Sequence, residues 1–456
     1  MALRKTVWTV FAILVSIAAT AASGPAARSR VPVQRDCLSG RTTKELPLYA
    51  PGEEISFAVE LLGFAGRDRA KMFIDWKRTG DDGKVESGKA PADRPFVYRT
   101  SLDRPGFVRL EGRLVDERGQ EVTTGRDGRK DPVVMDLGAG VDIGKIRPAV
   151  PAPKDFDAFW LARRGKLAKT AWRGRENLEE VASADPSLRV FKLRVPAVEG
   201  VDLTGYLSVP RQAGRYPACA YFHGYGISFG AVHTQPPSAD LLKKYAKDRI
   251  FLSVCPHGFE LGREEAYYRQ FRKDLRSNGF EHGFDSVQNA DPEKPYYCGM
   301  SYRVLRALAY LKSRPEWNGK DLIVTGGSQG GLQSIWGAAL DHDVTECNVF
   351  IPWNCDIGGT ELGRNRGTWF VKWVPALGYY DACSMAPRIP KGCRLVVTMA
   401  GLGDYICPPA GVMAFYNSVT APKEMTFVQN AQHGNFLEPH PQKFRLVGSA
   451  ISLVNR

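Results

Sequence analysis

The segment Gly326-Gly327-Ser328-Gln329-Gly330-Gly331 places a serine between glycines. The apolar run 322–325 before it indicates a buried strand, and the run 332–336 after it indicates a helix. A strand that reverses sharply into a helix holds the serine in a strained backbone conformation, and only glycines leave room for that approach. The first turn of the helix also directs backbone N–H groups toward the serine oxygen. The pattern therefore predicts a nucleophile at Ser328; the alternative is an ordinary glycine-rich turn.

A serine hydroxyl is a poor nucleophile at neutral pH, so Ser328 needs a base and a group that orients the base. Two later strand candidates, 394–400 and 425–428, are followed by Asp404 and His433 respectively. In α/β-hydrolases the chain order is serine, acid, histidine, with the acid and the base on loops after later strands. We therefore predict that Asp404 orients the imidazole and that His433 is the base.

Other residues compete for these two roles. Asp356 follows the apolar run 349–353 and is an alternative acid. His440 is an alternative base, although it lies between two prolines and away from a strand end.

Three histidines, His223, His257 and His282, precede the serine, an order that disfavours them as the base. His223 stands in a glycine-rich loop after the strand candidate 217–222, and such a loop more often shapes an oxyanion hole. The backbone N–H groups of Tyr225 and Gln329 are therefore the predicted donors to the oxygen that becomes negative in the tetrahedral intermediate.

The elements that must carry these residues alternate between strand and helix. The runs 217–222, 250–254 and 322–325 are continuously apolar, as expected for strands buried on both faces. A helix is expected between the last two runs, with one apolar face and two arginines outside that face. The apolar face comprises Val304, Leu305, Leu308 and Leu311, and the arginines are Arg303 and Arg306. The expected fold class is α/β, with a mostly parallel sheet covered by helices.

The amino-terminal part has a different pattern, with short strands of period two and no helical periodicity. Met72, Ile74 and Trp76 share one strand face, and the segment 116–119 marks a hairpin turn. This pattern predicts a small all-β, Ig-like sandwich. We expect it to act as a structural cap on the rest, with Trp76 in its core; a sugar-binding module is the alternative.

The predicted domain organisation has four parts. Residues 1–22 form a secretory signal peptide, because Arg4 and Lys5 precede an apolar run that ends in small residues. A linker spans 23–35, the sandwich 36–146, and an α/β-hydrolase catalytic domain 147–456, with the boundary at the proline-rich segment 146–153. The expected location is secreted or periplasmic, without stable membrane insertion; an uncleaved membrane anchor is the alternative.

Composition excludes several classes of function. The formal net charge is +13, but the basic residues are interleaved with acidic ones, which argues against nucleic acid as a partner. The nine cysteines contain no C-x-x-C pair, so we expect no metal site. An odd number of cysteines leaves at least one outside any disulfide, and the pairing cannot be inferred from the sequence.

Five motifs in the same order resemble the acetyl xylan esterase and cephalosporin-C deacetylase family of α/β-hydrolases, over about residues 150 to 445. The motifs are Asp155-Phe156-Asp157-Ala158-Phe159-Trp160, Phe222-His223-Gly224-Tyr225-Gly226, Tyr296-Tyr297, Gly326 to Gly331, and Gly401-Leu402-Gly403-Asp404 with Cys407-Pro408-Pro409. The resemblance implies the same nucleophile, acid, base and oxyanion donors. The sequence departs from the family pattern at His257-Gly258-Phe259-Glu260, where Arg-Gly-Gln is usual, and at Arg303, where an aspartate is usual.

The sequence thus predicts a carboxylic ester hydrolase: a serine carboxylesterase that removes acetyl or other small acyl groups from carbohydrate esters, without a cofactor or metal. Its expected partner is an acylated carbohydrate or another small ester, and a homo-oligomer, such as the ring-like hexamer of the family, is left open. One alternative is a prolyl-oligopeptidase-like serine peptidase, whose amino-terminal part is usually much longer. The other is a non-catalytic carbohydrate-binding protein.

Overall fold

A computed structural model describes residues 36–64, 67–126, 129–227, 234–364, 369–437 and 442–454. The predicted signal peptide 1–22, the predicted linker 23–35 and the alternative base His440 lie outside the described residues.

The described residues before the proline-rich segment fold into strands. In chain order these are β1 (Cys37–Thr42), β2 (Leu48–Tyr49), β3 (Ile55–Leu62), β4 (Met72–Gly80), β5 (Glu86–Pro91), β6 (Phe96–Thr100), β7 (Gly106–Asp116), β8 (Thr123–Arg126), β9 (Arg129–Pro132) and β10 (Val134–Val141). They form a sheet with the order β1-β3-β6, a second sheet with the order β2-β10-β7-β4-β5, and the hairpin β8-β9.

The two larger sheets share one cluster of buried apolar side chains. Met72 and Ile74 are buried in it as predicted, while Trp76 is half-buried and packs against Phe96 at 5.7 Å between ring centroids. The predicted turn is confirmed, since Gly119 has a φ of 76° and donates to the carbonyl of Asp116. All the described residues belong to one compact unit, so a domain boundary at residue 146 stays a prediction.

The second part alternates strands with helices. In chain order these are α1 (Phe156–Lys169), β11 (Asn177–Val181), β12 (Leu188–Val198), β13 (Val201–Pro210), β14 (Tyr216–Phe222), α2 (Ala239–Tyr245), β15 (Ile250–Cys255), α3 (Glu265–Asp274), α4 (Tyr296–Ser313), β16 (Trp317–Gly327), α5 (Gln329–Leu340), β17 (Glu346–Phe350), α6 (Ala382–Met385), β18 (Arg394–Gly401), α7 (Pro409–Ser418), β19 (Lys423–Val428), β20 (Lys443–Val447) and β21 (Ala450–Leu453). The strand candidates that carry the predicted site residues are confirmed.

These strands form one sheet with the order β11-β12-β13-β15-β14-β16-β17-β18-β19-β20-β21. The six from β15 to β19 in that order run parallel, and the strands on both sides of them are antiparallel. The sheet is therefore mixed rather than mostly parallel. Short turns at Gly200 and Gly448, both with positive φ, account for two of the antiparallel pairs, β12-β13 and β20-β21, because a tight hairpin can only join antiparallel strands.

Helix α4 has the predicted apolar face, but its arginines do not lie on a solvent face. Arg306 is only 2% exposed, and its guanidinium donates to the carbonyls of Leu167 (3.1 Å), Thr170 (3.3 Å) and Ala197 (2.9 Å). Burial lowers the pKa of Arg306 to about 10. The periodicity of the sequence could not reveal this burial, because the guanidinium is hydrogen-bonded to backbone carbonyls and not to acidic side chains.

All nine cysteines lie among the described residues, and each is buried and outside any disulfide. Within the same part of the chain, no helix has the length and apolar character needed to cross a bilayer.

Candidate active site

Ser328 stands in a strained turn between β16 and α5. Its φ of 54° and ψ of −119° are unusual for a residue with a side chain, and its N–H donates to the carbonyl of Phe350 at 2.9 Å. A Cβ atom built on Gly330 would collide with the carbonyl oxygen of Phe222, so the close approach of α5 to β14 requires glycine there. The strand, sharp turn and helix that the glycine-serine pattern predicts are therefore present.

Asp404 and His433 meet on the loops after β18 and β19. Nδ1 of His433 lies 3.0 Å from Oδ2 of Asp404. The other carboxylate oxygen accepts the backbone N–H groups of Ile406 (2.9 Å) and Cys407 (2.8 Å), which fix its orientation. Asp404 is 1% exposed, whereas the side chain of His433 is 26% exposed. A buried acid thus holds an imidazole that is partly exposed to solvent.

Cys407 lies beside this pair. One ligand atom each from Asp404, Cys407 and His433 lies within 4.8 Å of the other two. Among the described residues, the Ser328 hydroxyl makes no hydrogen bond to His433; such bonds are often long before substrate binds.

The same three side chains could in principle hold a metal ion, but their chemistry fits an acid–base pair better. A thiol binds metal as the thiolate, and burial raises the pKa of Cys407 well above its usual value. The oxygens of Asp404 are engaged by two backbone N–H groups and by His433.

The loop after β19 also packs beside the serine. A Cβ atom on Gly434 would lie 3.6 Å from the ring of Phe350, the residue whose carbonyl accepts the N–H of Ser328. The residue after His433 therefore contacts the strand end that supports the nucleophile.

The loop after β14 lies on another side of Ser328. A Cβ atom on Gly224 would be 3.5 Å from the carbonyl oxygen of Gly327 and 4.0 Å from Cβ of Ser328. This places the loop that contains Tyr225 against the start of α5, which begins at Gln329. Their backbone N–H groups remain the predicted oxyanion donors.

A pair of side chains holds this loop. Nε2 of His257 lies 3.2 Å from the carbonyl oxygen of Gly226, and Nδ1 contacts the hydroxyl of Tyr296. Because a carbonyl only accepts, Nε2 carries the proton and Nδ1 accepts from Tyr296. His257 therefore supports the loop and does not act as a base.

Aromatic rings line the same side of the site. The ring of Tyr225 stacks on His282 at 4.3 Å and meets Trp369 edge-on at 4.9 Å and Trp353 at 6.0 Å. The backbone N–H of Trp353 donates to the carbonyl of Ser328 at 3.0 Å, so the residue that carries one of these rings is bonded to the serine turn. Burial lowers the pKa of His282 to about 3, which keeps its imidazole neutral.

Two of the remaining alternatives have other polar partners. Nε2 of His223 contacts the hydroxyl of Ser253 at 2.7 Å. The carboxylate of Asp356 accepts the N–H of Ala149 at 2.7 Å and lies 3.4 Å from Arg364. Asp404, not Asp356, is the carboxylate in contact with His433.

Sequence reasoning missed several residues of this site. Cys407 and Tyr296 stood in the motifs of the resemblance without an assigned role, so a signal for them was present. Asp136 of β10 contacts Gln432, the neighbour of His433, and no local pattern could have indicated a contact across 296 residues.

Comparisons with known proteins indicate the family of the chain. The family model described as "Acetyl xylan esterase (AXE1)" matches residues 135–360 and 370–446. The acetyl esterase Axe7A of Xylanibacter ruminicola is 29% identical over 393 residues, which cover 79% of this chain and 84% of that protein.

Two solved structures have a similar fold. The acetyl xylan esterase from Paenibacillus sp. R4 is 22% identical with a TM-score of 0.53, covering 64% of this chain and 94% of that one. Acetyl xylan esterase 1 from Thermoanaerobacterium sp. JW/SL YS485 is 20% identical with a TM-score of 0.55, covering 64% and 93%. At these identities the likeness shows the fold alone, and the α/β-hydrolase prediction is confirmed at that level.

Proposed function

The chain belongs to the acetyl xylan esterase family and is a carboxylic ester hydrolase, and from this premise we propose that it removes acetyl or other small acyl groups from carbohydrate esters through Ser328, His433 and Asp404. The observation that carries the proposal is the 3.0 Å contact between His433 and Asp404, on a loop that packs against Phe350, the residue whose carbonyl accepts the N–H of Ser328.

In the proposed reaction, Oγ of Ser328 attacks the ester carbonyl while Nε2 of His433 takes its proton. Asp404, in contact with Nδ1, keeps the imidazole in the required tautomer and stabilises the imidazolium. The proton then passes to the leaving alcohol, and an acyl group remains on Ser328. Water repeats the cycle, with His433 again as the base, and releases the carboxylic acid.

The negative oxygen of each tetrahedral intermediate needs donors that are in place before the reaction. The backbone N–H groups of Tyr225 and Gln329 are proposed for this role. Support comes from the contact of Gly224 with the serine turn and from the hydrogen bond that His257 makes to Gly226. These contacts hold the loop without using either N–H group.

Two features support a small acyl group on a sugar. The relatives that the chain matches are named acetyl esterase and acetyl xylan esterase. The rings of Tyr225, Trp353 and Trp369 pack against one another beside the loop proposed to supply an oxyanion donor, and aromatic side chains are common in sites that bind small molecules.

We also propose where the protein acts and what its amino-terminal sheets do. The chain is exported by a signal peptide at residues 1–22 to a secreted or periplasmic location. The sheets of residues 36–146 form a sandwich domain with a structural role, and homo-oligomerisation is open.

A substrate panel tests the proposed function. The purified protein is assayed on p-nitrophenyl acetate, butyrate and octanoate, on acetylated xylan and acetylated xylose, and on aminoacyl p-nitroanilides. We expect the highest kcat/KM on acetyl esters and no turnover of the anilides. Cleavage of the anilides without cleavage of acetyl esters would instead favour a peptidase. A Ser328→Ala variant, purified in parallel, controls for contaminating esterases.

A further inference from the structure

Asp136 of β10 lies between the amino-terminal sheets and both loops that carry the proposed acid and base. Its side chain is fully buried, and Oδ2 accepts a hydrogen bond from Nε2 of Gln432 at 3.0 Å. A Cβ atom on Gly403 would collide with the Asp136 carboxyl group, so the two are in direct contact. Gln432 and Gly403 are the immediate neighbours of His433 and Asp404. One carboxylate thus touches the residue next to each of them.

The backbone of β10 makes further hydrogen bonds to the base loop. The N–H of Asp136 donates to Oδ1 of Asn430 at 2.9 Å. The amide of Gln429 bonds Gly138 twice, accepting its N–H at 2.8 Å and donating to its carbonyl at 2.7 Å. A Cβ atom on Gly138 would lie 2.7 Å from Cβ of Leu402, so the acid loop packs directly on the strand. The strand therefore contacts the acid loop and the base loop at the same time.

Arg109 of β7 completes the arrangement. Its guanidinium forms two hydrogen bonds with Asp136, Nε to Oδ1 at 2.7 Å and Nη2 to Oδ2 at 2.5 Å. It also lies 4.4 Å above the ring of Tyr405, the residue after Asp404. A buried charge is tolerated when it is paired in good geometry, and the bidentate pair holds the carboxylate in one orientation.

We propose that Asp136 and Arg109 are positioning residues, which set the separation of Asp404 and His433 by fixing the backbone on the far side of both loops. The inference rests on the proposed function of that pair. To the structural role proposed for the amino-terminal sheets it adds a part in the reaction, which neither a passive cap nor a sugar-binding module would have.

The test compares two buried Arg–Asp pairs in the same sheets. Asp136→Asn is the test variant, and Asp82→Asn is the matched control. Asp82 binds Arg78 through two hydrogen bonds of 2.6 and 2.8 Å, and the two side chains are 4% and 1% exposed. Each substitution removes one charge from a bidentate pair, but only Asp136 contacts the loops.

The measurements are kcat and KM on p-nitrophenyl acetate and the midpoint of thermal unfolding, Tm. We expect both variants to lower Tm. Asp136→Asn should lower kcat about 100-fold with KM within about threefold of the wild-type value, since a displacement of about 1 Å at reacting groups costs that much. Asp82→Asn should keep kcat within about threefold. Equal kcat in the two variants would overturn the inference.

A double variant tests whether the loss of kcat comes only from a general disturbance of the structure. In Asp136→Asn an NH₂ group replaces one of the two oxygens, so it faces a donor of Arg109 or of Gln432. In the double variant with Gln432→Glu, this NH₂ group can donate to the new carboxylate while the remaining oxygen accepts from Arg109, so both contacts can form again. We expect kcat to recover about tenfold over Asp136→Asn alone, and Asp136→Asn with Gln432→Ala not to recover. A lack of coupling between the two positions in this cycle would contradict direct positioning.

Hydrogen exchange separates this inference from the proposed function. If the wild-type protein fails to hydrolyse any ester, the proposed function fails. The inference is then judged by backbone amide exchange in 401–404 and 429–433. Faster exchange in Asp136→Asn but not in Asp82→Asn supports positioning of the two loops, and unchanged exchange in both variants overturns it.

Discussion

Nδ1 of His433 lies 3.0 Å from Oδ2 of Asp404, on two loops that follow neighbouring parallel strands. The carboxylate is buried and held by two backbone N–H groups, while the imidazole is partly exposed. The acid is thus fixed, while the imidazole is accessible. This suits a base that must take a proton from a serine and then give it to an alcohol. The predictions below follow from this relationship and from the packing around it.

Asp404→Asn should lower kcat on p-nitrophenyl acetate by roughly 10⁴-fold. Its side-chain oxygen can still accept the N–H groups of Ile406 and Cys407, so we expect a folded protein. Its NH₂ group then faces Nδ1 of His433 and forces the proton onto Nε2, where it blocks proton transfer from the serine. Asp356→Asn is the comparison: it should lower Tm, because it leaves Arg364 without its carboxylate, but keep substantial activity. Loss of activity in Asp356→Asn with retention in Asp404→Asn would contradict the assignment of the acid.

Two glycine-to-alanine substitutions in helices should have opposite effects. Gly330→Ala introduces a Cβ that collides with the carbonyl of Phe222, so β14 or α5 must shift. We expect it to cost roughly 1–3 kcal/mol of unfolding free energy and to reduce kcat, because the shift moves Ser328. Gly165→Ala, inside α1, meets no atom within 4 Å. It should stabilise the protein by up to about 1 kcal/mol with unchanged activity. Urea unfolding measures the stability of each variant, and ester hydrolysis measures its kcat. Equal changes in unfolding free energy for Gly330→Ala and Gly165→Ala would contradict the packing described.

Asp81 should make the protein less stable as pH rises. Burial raises the pKa of this carboxyl from 3.8 to about 7, with Arg364, Asp356 and Asp82 as the nearby charges. Between these two pH values the unfolded chain has released the proton that the folded chain still holds. The folded state therefore loses stability across this window, by an amount on the order of a few kcal/mol.

Asp81→Asn removes this dependence, and its side-chain oxygen can still accept the N–H of Phe107, which Asp81 bonds at 2.7 Å. The measurement is the free energy of unfolding of both proteins at pH 4, 5.5 and 7. The free energy of unfolding of the wild type should fall relative to that of Asp81→Asn as pH rises. A difference that is constant across the three pH values would show that Asp81 is ionised in the folded state throughout.

The parts of the site that the sequence predicted are those with a local signal. The turn at Ser328 is encoded by glycines within two residues of it, because steric demands there act between near neighbours in sequence. Strand order predicts Asp404 and His433 as acid and base, because the carboxyl ends of parallel strands lie at one edge of a sheet. Both inferences needed only the sequence around each strand.

The parts that could not be predicted depend on contacts between distant segments. Asp136 and Gln432 are 296 residues apart, and each looks like an ordinary polar residue in its own surroundings. Arg306 lies outside the apolar face of its helix in the sequence pattern, yet its guanidinium donates hydrogen bonds to three backbone carbonyls. The antiparallel strands at the two ends of the sheet were missed because an apolar pattern indicates burial and not strand direction.

The most direct test of the account is covalent trapping of the nucleophile. The wild-type protein and Ser328→Ala are incubated with diethyl p-nitrophenyl phosphate, whose tetrahedral phosphoryl group resembles the intermediate but is released slowly. Residual esterase activity is then measured, and digested peptides are analysed by mass spectrometry. The account predicts one diethylphosphoryl group per wild-type chain, on Ser328, with loss of activity in proportion to labelling, and no label on that peptide in Ser328→Ala. Full inactivation with the label on another residue, or undiminished activity in a fully labelled protein, would contradict it.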